Sequence, residues 1–149
     1  MKRIFIFFIP LIFIFSQTGT AQEYSSAIGL RAGMGANISY KKFVGSEAAF
    51  ELIGGFNFGD VYASLVFEKH NRFANDIPGL TWYWGVGGSI VLEEGGVGVG
   101  GLGAIGLEYS FYDIPLNISL DWMPHLFLIG GRNFDARGGG LSLRYILER

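Results

Sequence analysis

The run Leu80-Thr81-Trp82-Tyr83-Trp84-Gly85-Val86-Gly87-Gly88-Ser89-Ile90-Val91-Leu92 decides how the rest of the chain is read. Taken every second residue, it separates into two faces. Leu80, Trp82, Trp84, Val86, Ile90 and Leu92 fall on one; Thr81, Tyr83, Gly85, Gly87 and Ser89 fall on the other. Side chains alternate across a strand with period two, so the run predicts a strand with one apolar face. A helix would scatter these residues around its circumference, and each glycine would cost it about 1 kcal/mol relative to Ala.

The same alternation continues on both sides. Upstream, Ile28, Leu30, Ala32 and Met34 oppose Gly29, Arg31, Gly33 and Gly35. Ala48, Phe50, Leu52 and Phe56 oppose Ala49, Glu51, Ile53 and Asn57, and Val61, Ala63, Leu65 and Phe67 oppose Tyr62, Ser64, Val66 and Glu68. Downstream, Ile105, Leu107 and Tyr109 oppose Ala104, Gly106 and Glu108. Leu116, Ile118, Leu120 and Trp122 oppose Asn117, Ser119, Asp121 and Met123, and Leu141, Leu143, Tyr145 and Leu147 oppose Ser142, Arg144 and Ile146. Turn chemistry separates these segments at Val44-Gly45-Ser46, Asn57-Phe58-Gly59-Asp60, Asn75 to Gly79, Glu93 to Gly96, Asp113-Ile114-Pro115 and Gly130 to Gly140. The stretch from Ile28 to Phe43 is long for one strand. Gly33-Met34-Gly35-Ala36-Asn37 can fold it into a hairpin, with Ile38 to Phe43 as an eighth strand. An even count suits a closed antiparallel up-and-down barrel. Connections near Gly45, His70 to Gly79 and Asp113 then share one end with both termini, and those near Gly35, Gly59, Gly95 and Arg132 share the other.

Composition agrees with an all-β chain. Of 149 residues 24 are Gly, 14 Phe, 7 Tyr and 3 Trp, and aromatics favour strands. The absence of cysteine excludes disulfides, thiolate metal sites, a Cys nucleophile and a lipid-modified Cys. A formal charge of −2 gives no basic surface for nucleic acid. Lys2 and Arg3 precede an apolar run from Ile4 to Phe15, and Gly19-Thr20-Ala21 supplies the small residues of an export signal. That run is short of the roughly 20 residues a spanning helix needs. Cleavage after Ala21 leaves one domain, residues 22–149, and removes two bases, so the formal charge falls from −2 to −4.

The face opposite the apolar one is rich in Gly, Ala and Ser. It carries about one charge per strand: Arg31, Glu51, Glu68, Glu108, Asp121 and Arg144. Small residues suit a narrow lumen, since an eight-stranded barrel has an interior just wide enough for side chains to fill. Charges there must neutralise one another. Trp82, Trp84, Tyr109, Trp122 and Tyr145 on the apolar face suit the aromatic girdles of a transmembrane barrel. The expectation is therefore a barrel with its apolar face outward. It would be a monomer in the outer membrane of a Gram-negative-type bacterium, with outer-membrane lipid and, during insertion, the barrel-assembly machinery as partners.

The runs Gly106-Leu107-Glu108-Tyr109-Ser110-Phe111 and Ile114 to Trp122 resemble small bacterial outer-membrane barrel proteins of largely unassigned function. So do Glu68-Lys69-His70, Gly79 to Gly85 and Gly139 to Tyr145. The architecture this implies is similar to OmpX and the OmpA transmembrane domain. The resemblance carries no catalytic residue. Such barrels usually end on an aromatic residue, whereas here Tyr145 is followed by Ile146 to Arg149.

Candidate chemistry is sparse. Gly98-Val99-Gly100-Gly101-Leu102-Gly103, with Asp121 beyond it, matches a dinucleotide-binding glycine pattern. That mechanism needs a helix after the glycines, and Ala104 to Phe111 alternates as a strand. His70 and His125 are the only histidines; Glu68 and His70 share a face, with no serine placed beside them. His70 is expected on the periplasmic rim. Asp60, Glu93-Glu94 and Asp135 read as dispersed loop acids. Asn37-Ile38-Ser39 and Asn117-Ile118-Ser119 match the glycosylation sequon within strands. No catalytic, cofactor or metal site is expected. The leading expectation is a non-enzymatic structural or surface-interaction role. The alternatives are a narrow channel, a membrane-embedded lipid-modifying enzyme and a soluble periplasmic ligand-binding barrel.

Overall fold

Glycine at the tight connections and alternation between them produce the architecture seen in a computed structural model. It describes residues 22–57, 59–75, 77–130 and 133–149. Residues 1–21, where an export signal is expected, and Phe58, Asp76, Gly131 and Arg132 lie outside the described residues. Among the described residues there are ten strands: β1 (Ser26–Gly33), β2 (Gly35–Phe43), β3 (Ala48–Asn57), β4 (Asp60–Arg72), β5 (Leu80–Glu93), β6 (Gly96–Ser110), β7 (Leu116–Trp122), β8 (His125–Ile129), β9 (Phe134–Asp135) and β10 (Gly139–Glu148). Every pairing is antiparallel. Each strand from β1 to β6 pairs with the next, β6 with β7, β7 with β10, and β10 closes on β1.

Ten strands make eight staves. β7 and β8 are one stave, both paired with β6, and β9 continues the line of β10. The interruption falls at Met123-Pro124. Proline has no N–H to give the ladder; at the break the Pro124 carbonyl accepts from Gly103 N–H and Met123 N–H donates to the Gly138 carbonyl, each at 3.0 Å. The alternation read from sequence stops at this break, which is why the short β8 and β9 were not foreseen.

The hairpin within Ile28 to Phe43 is present. Gly33 faces Gly35 across Met34, and Gly35 takes φ 98°, a left-handed backbone that glycine adopts without a Cβ penalty. The two ends are grouped as expected. The turns after β2, β4 and β6 lie with Ser26 and Glu148, and the turns after β1, β3, β5 and β8 lie opposite. The expected His70–Gly79 connection is shorter, because β4 runs on to Arg72.

The apolar face points outward. Leu30 is 71% exposed, Leu52 52% and Leu120 60%, whereas Arg144, Glu51 and Lys41 are at 0%. Two small apolar clusters lie inside. Tyr24, Ala27, Phe43, Ala49 and Ile146 fill the end that holds the termini. Ile53, Val66, Leu102, Ala104 and Met123 lie in the other half.

Candidate functional site

Between those clusters the lumen is filled by charge. Alternation turns Lys41 (β2), Glu51 (β3), Glu68 and His70 (β4), Glu108 (β6) and Arg144 (β10) to the same interior, all buried. Lys41 Nζ is 2.7 Å from Glu68, 2.8 Å from Glu108 and 3.6 Å from Glu51. Arg144 pairs with Glu51 and donates to Ser39 at 2.7 Å, Ser119 at 2.9 Å and Asn117 at 3.0 Å. Ser39 donates to Glu51 at 2.5 Å, and Tyr24 donates to Glu108 at 2.9 Å. His70 Nε2 lies 2.9 Å from Glu68. The fixed geometry and multiple hydrogen bonds are what allow such charges to remain out of water.

A second ion pair lies toward the end opposite the termini. Arg31 grips Asp121 with two nitrogens, at 2.5 and 2.7 Å, and donates to Ser142 at 3.2 Å. Tyr83 joins the two layers. Its hydroxyl donates to Asp121 at 2.8 Å, its ring stacks on His70 with centroids 4.9 Å apart, and Lys41 Nζ lies 4.3 Å from its ring centre. Gly106 leaves the room for that ring. A methyl there would meet Tyr83 Cζ, the Tyr83 hydroxyl and Asp121 Cβ, each at 2.7 Å. Gly106→Ala is expected to lower stability by about 1–3 kcal/mol, the usual cost of overpacking. The urea midpoint of the refolded barrel reads it, and an unchanged midpoint would contradict the tight fit.

Beyond Arg31 the lumen opens into a vestibule. Arg31, Asn37, Tyr62, Val91, Met123 and Phe127 line it, with Asp60, His125 and Asp135 also in its wall. Asp135 is held by Arg137 through side-chain bonds at 2.9 and 3.0 Å and a backbone bond at 3.0 Å.

The sequence-derived candidates are therefore redistributed. Gly98 to Gly103 lie within β6, with no helix after them, so the dinucleotide reading fails at its structural requirement. Asp121 belongs to the Arg31 pair. His70 is not a rim residue: it is buried in the lumen, because β4 extends past it. His125 lies in the vestibule, across the Arg31–Asp121 layer from His70, so the two histidines share no site. Asp60 and Asp135, read as dispersed, both line the vestibule; Glu93 ends β5, and Glu94 lies in the β5–β6 turn. Among the described residues no group of three His, Asp or Glu is placed to hold a metal ion. Asn37 and Asn117 both point into the lumen.

Lys41 was missed. It lies in phase with Asn37 and Ser39, so alternation carried into β2 would have found it. The adjacent pair Lys41-Lys42 hid it, since one base must fall on each face. Comparison of the chain with protein-family models, with curated proteins and with solved structures finds no match.

Proposed function

We propose that the chain spans the bacterial outer membrane as a closed, filled barrel and serves a structural or surface-interaction role rather than catalysis. The observation that carries this reading is the inversion of the usual soluble pattern. The closed wall turns its apolar side chains outward, while the charges of its middle are buried inside. In water such a surface would be a large aggregation-prone patch; in a bilayer it is the belt that lipid requires. Closure also leaves no free barrel edge in the wall, the condition for strands to cross hydrocarbon. Lys42, Lys69 and Glu148 face outward only near the ends of their strands, within reach of head groups. Trp84, Trp122 and Tyr145 are exposed on the same wall.

The interior favours a plug over a pore. Lys41, Arg144 and Tyr83 are bonded across the lumen, and an eight-stranded barrel has no width to spare beside them. It also offers little for catalysis, since His70 and Glu68 are sealed within the ion cluster. Reconstitution of the full chain into vesicles of brominated phosphatidylcholine tests the proposed lipid contact. Tryptophan emission is expected to be strongly quenched relative to unbrominated vesicles. Equal emission in both would overturn it.

A further inference from the structure

We infer that the sealed lumen is a binding site for one proton, held between the carboxyls of Glu51 and Glu68. The charges buried between the vestibule and the end that holds the termini do not cancel. Arg31, Lys41 and Arg144 carry three positive charges, and Glu51, Glu68, Glu108 and Asp121 carry four negative ones, all of them 8% exposed or less. Arg31 and Asp121 cancel as a pair in their own layer. Glu51, Glu68 and Glu108 then share Lys41 and Arg144, which leaves one negative charge in excess. A buried carboxylate without a counter-charge is costly enough that the group neutralises instead.

The bonding shows where the proton belongs. Glu68 on β4 lies opposite Ala49 on β3, so Glu51 and Glu68 are diagonal neighbours on the inward face. Their carboxyls are within hydrogen-bonding reach of each other. Ser39 and Arg144 bond Oε1 of Glu51, while Lys41 and His70 bond Oε2 of Glu68. The other oxygen of each, Glu51 Oε2 and Glu68 Oε1, is buried and has no hydrogen-bond partner. Both oxygens of Glu108 are taken, one by Tyr24 and one by Lys41. Two carboxylates sharing one site cannot both stay ionised at low cost. A single proton between them turns repulsion into an O–H donor and its acceptor, bonds both bare oxygens and cancels the excess charge.

His70 is the rival carrier. Its Nε2 lies 2.9 Å from Glu68, but its Nδ1 has no partner and is 4.0 Å from Glu108, beyond hydrogen-bonding distance. A ring with hydrogen on Nε2 alone fits this setting. A second proton, on Nδ1, would be buried without an acceptor and would leave both glutamate oxygens bare. The remaining titratable groups facing the pair are Tyr83 from β5 and Tyr24 from the segment before β1, whose hydroxyls already donate to Asp121 and Glu108.

The held proton couples folding to pH. The unfolded chain has ionised glutamates above neutral pH, so the folded barrel binds one proton more. Stability then falls as pH rises, and the unfolding constant grows by about tenfold per pH unit while the folded state keeps its proton.

Infrared spectra of the full chain, folded in a detergent free of carbonyl groups at about pH 7.5, test the site. A protonated-carboxyl C=O stretch is expected, apart from the amide and carboxylate bands. It should move when the glutamates carry ¹³C, a readout that needs no variant to fold. In Glu68→Gln, which is neutral as the protonated acid is, the band should be absent. Urea unfolding should show the tenfold rise between about pH 7.5 and 8.5 in the parent chain and no rise in Glu68→Gln. No carboxyl band, a band unmoved by ¹³C-glutamate, a band that persists in folded Glu68→Gln, or equal unfolding constants at the two pH values in the parent chain would each overturn the site.

Discussion

Replacing Lys41 with Met is expected to cost about 3–5 kcal/mol of folding stability, the range for breaking a buried ion pair from one side. Methionine keeps most of the volume and removes the charge. The loss is electrostatic: Glu68 and Glu108, at 2.7 and 2.8 Å from Nζ, and Glu51 at 3.6 Å would lose their shared cation. Arg144 makes up only part of the loss: it keeps its pair with Glu51 and lies 3.6 Å from Glu108, but its remaining bonds go to Ser39, Asn117 and Ser119. Reversible urea unfolding in detergent, followed by tryptophan emission, measures the effect. The double variant Lys41→Met with Glu68→Gln should recover part of it, since neighbouring groups in one network are not additive. A loss in Lys41→Met no larger than for a surface lysine would mean that the cluster is not a tightly bonded plug.

Leu120→Arg is expected to cost about 2–4 kcal/mol in lipid, the penalty for a cation on the lipid face near the midplane of a barrel. Leu120 projects from β7 between Leu107 of β6 and Leu141 of β10, and it is 60% exposed. In water an arginine at such a position would be accepted at little cost. The effect therefore depends on what surrounds the wall, and unfolding in vesicles measures it. Unchanged stability of the vesicle-bound barrel would contradict lipid contact at that residue.

Most of the architecture was legible because both requirements of the wall repeat with period two. Leu80 to Leu92 disclosed it most clearly, since bulky residues on one face contrast there with Gly, Thr and Ser on the other. The hairpin at Met34 was legible from its flanking glycines. The division at Pro124 was not, because alternation fades as the ladder breaks and β8 holds only five residues. At the candidate site, the inward direction of Arg31, Glu51, Glu68, Glu108, Asp121 and Arg144 followed from their phase. Their partners did not. Arg31 and Asp121 are 90 residues apart in sequence, and Arg144 and Glu51 are 93 apart. Such pairs form only when the barrel closes and sets its stagger. The vestibule was illegible for the same reason: Asp60 and Asp135 come from distant segments, and only closure places both in one wall.

The most direct test of the central claim, that the apolar wall faces lipid, is the migration of the expressed full chain on SDS gels with and without boiling. The outer-membrane and soluble fractions would be run side by side. The account predicts that the protein lies in the membrane fraction and that its unboiled band migrates differently from the boiled one, because the closed barrel resists SDS until heated. A soluble product whose mobility ignores heating would contradict it.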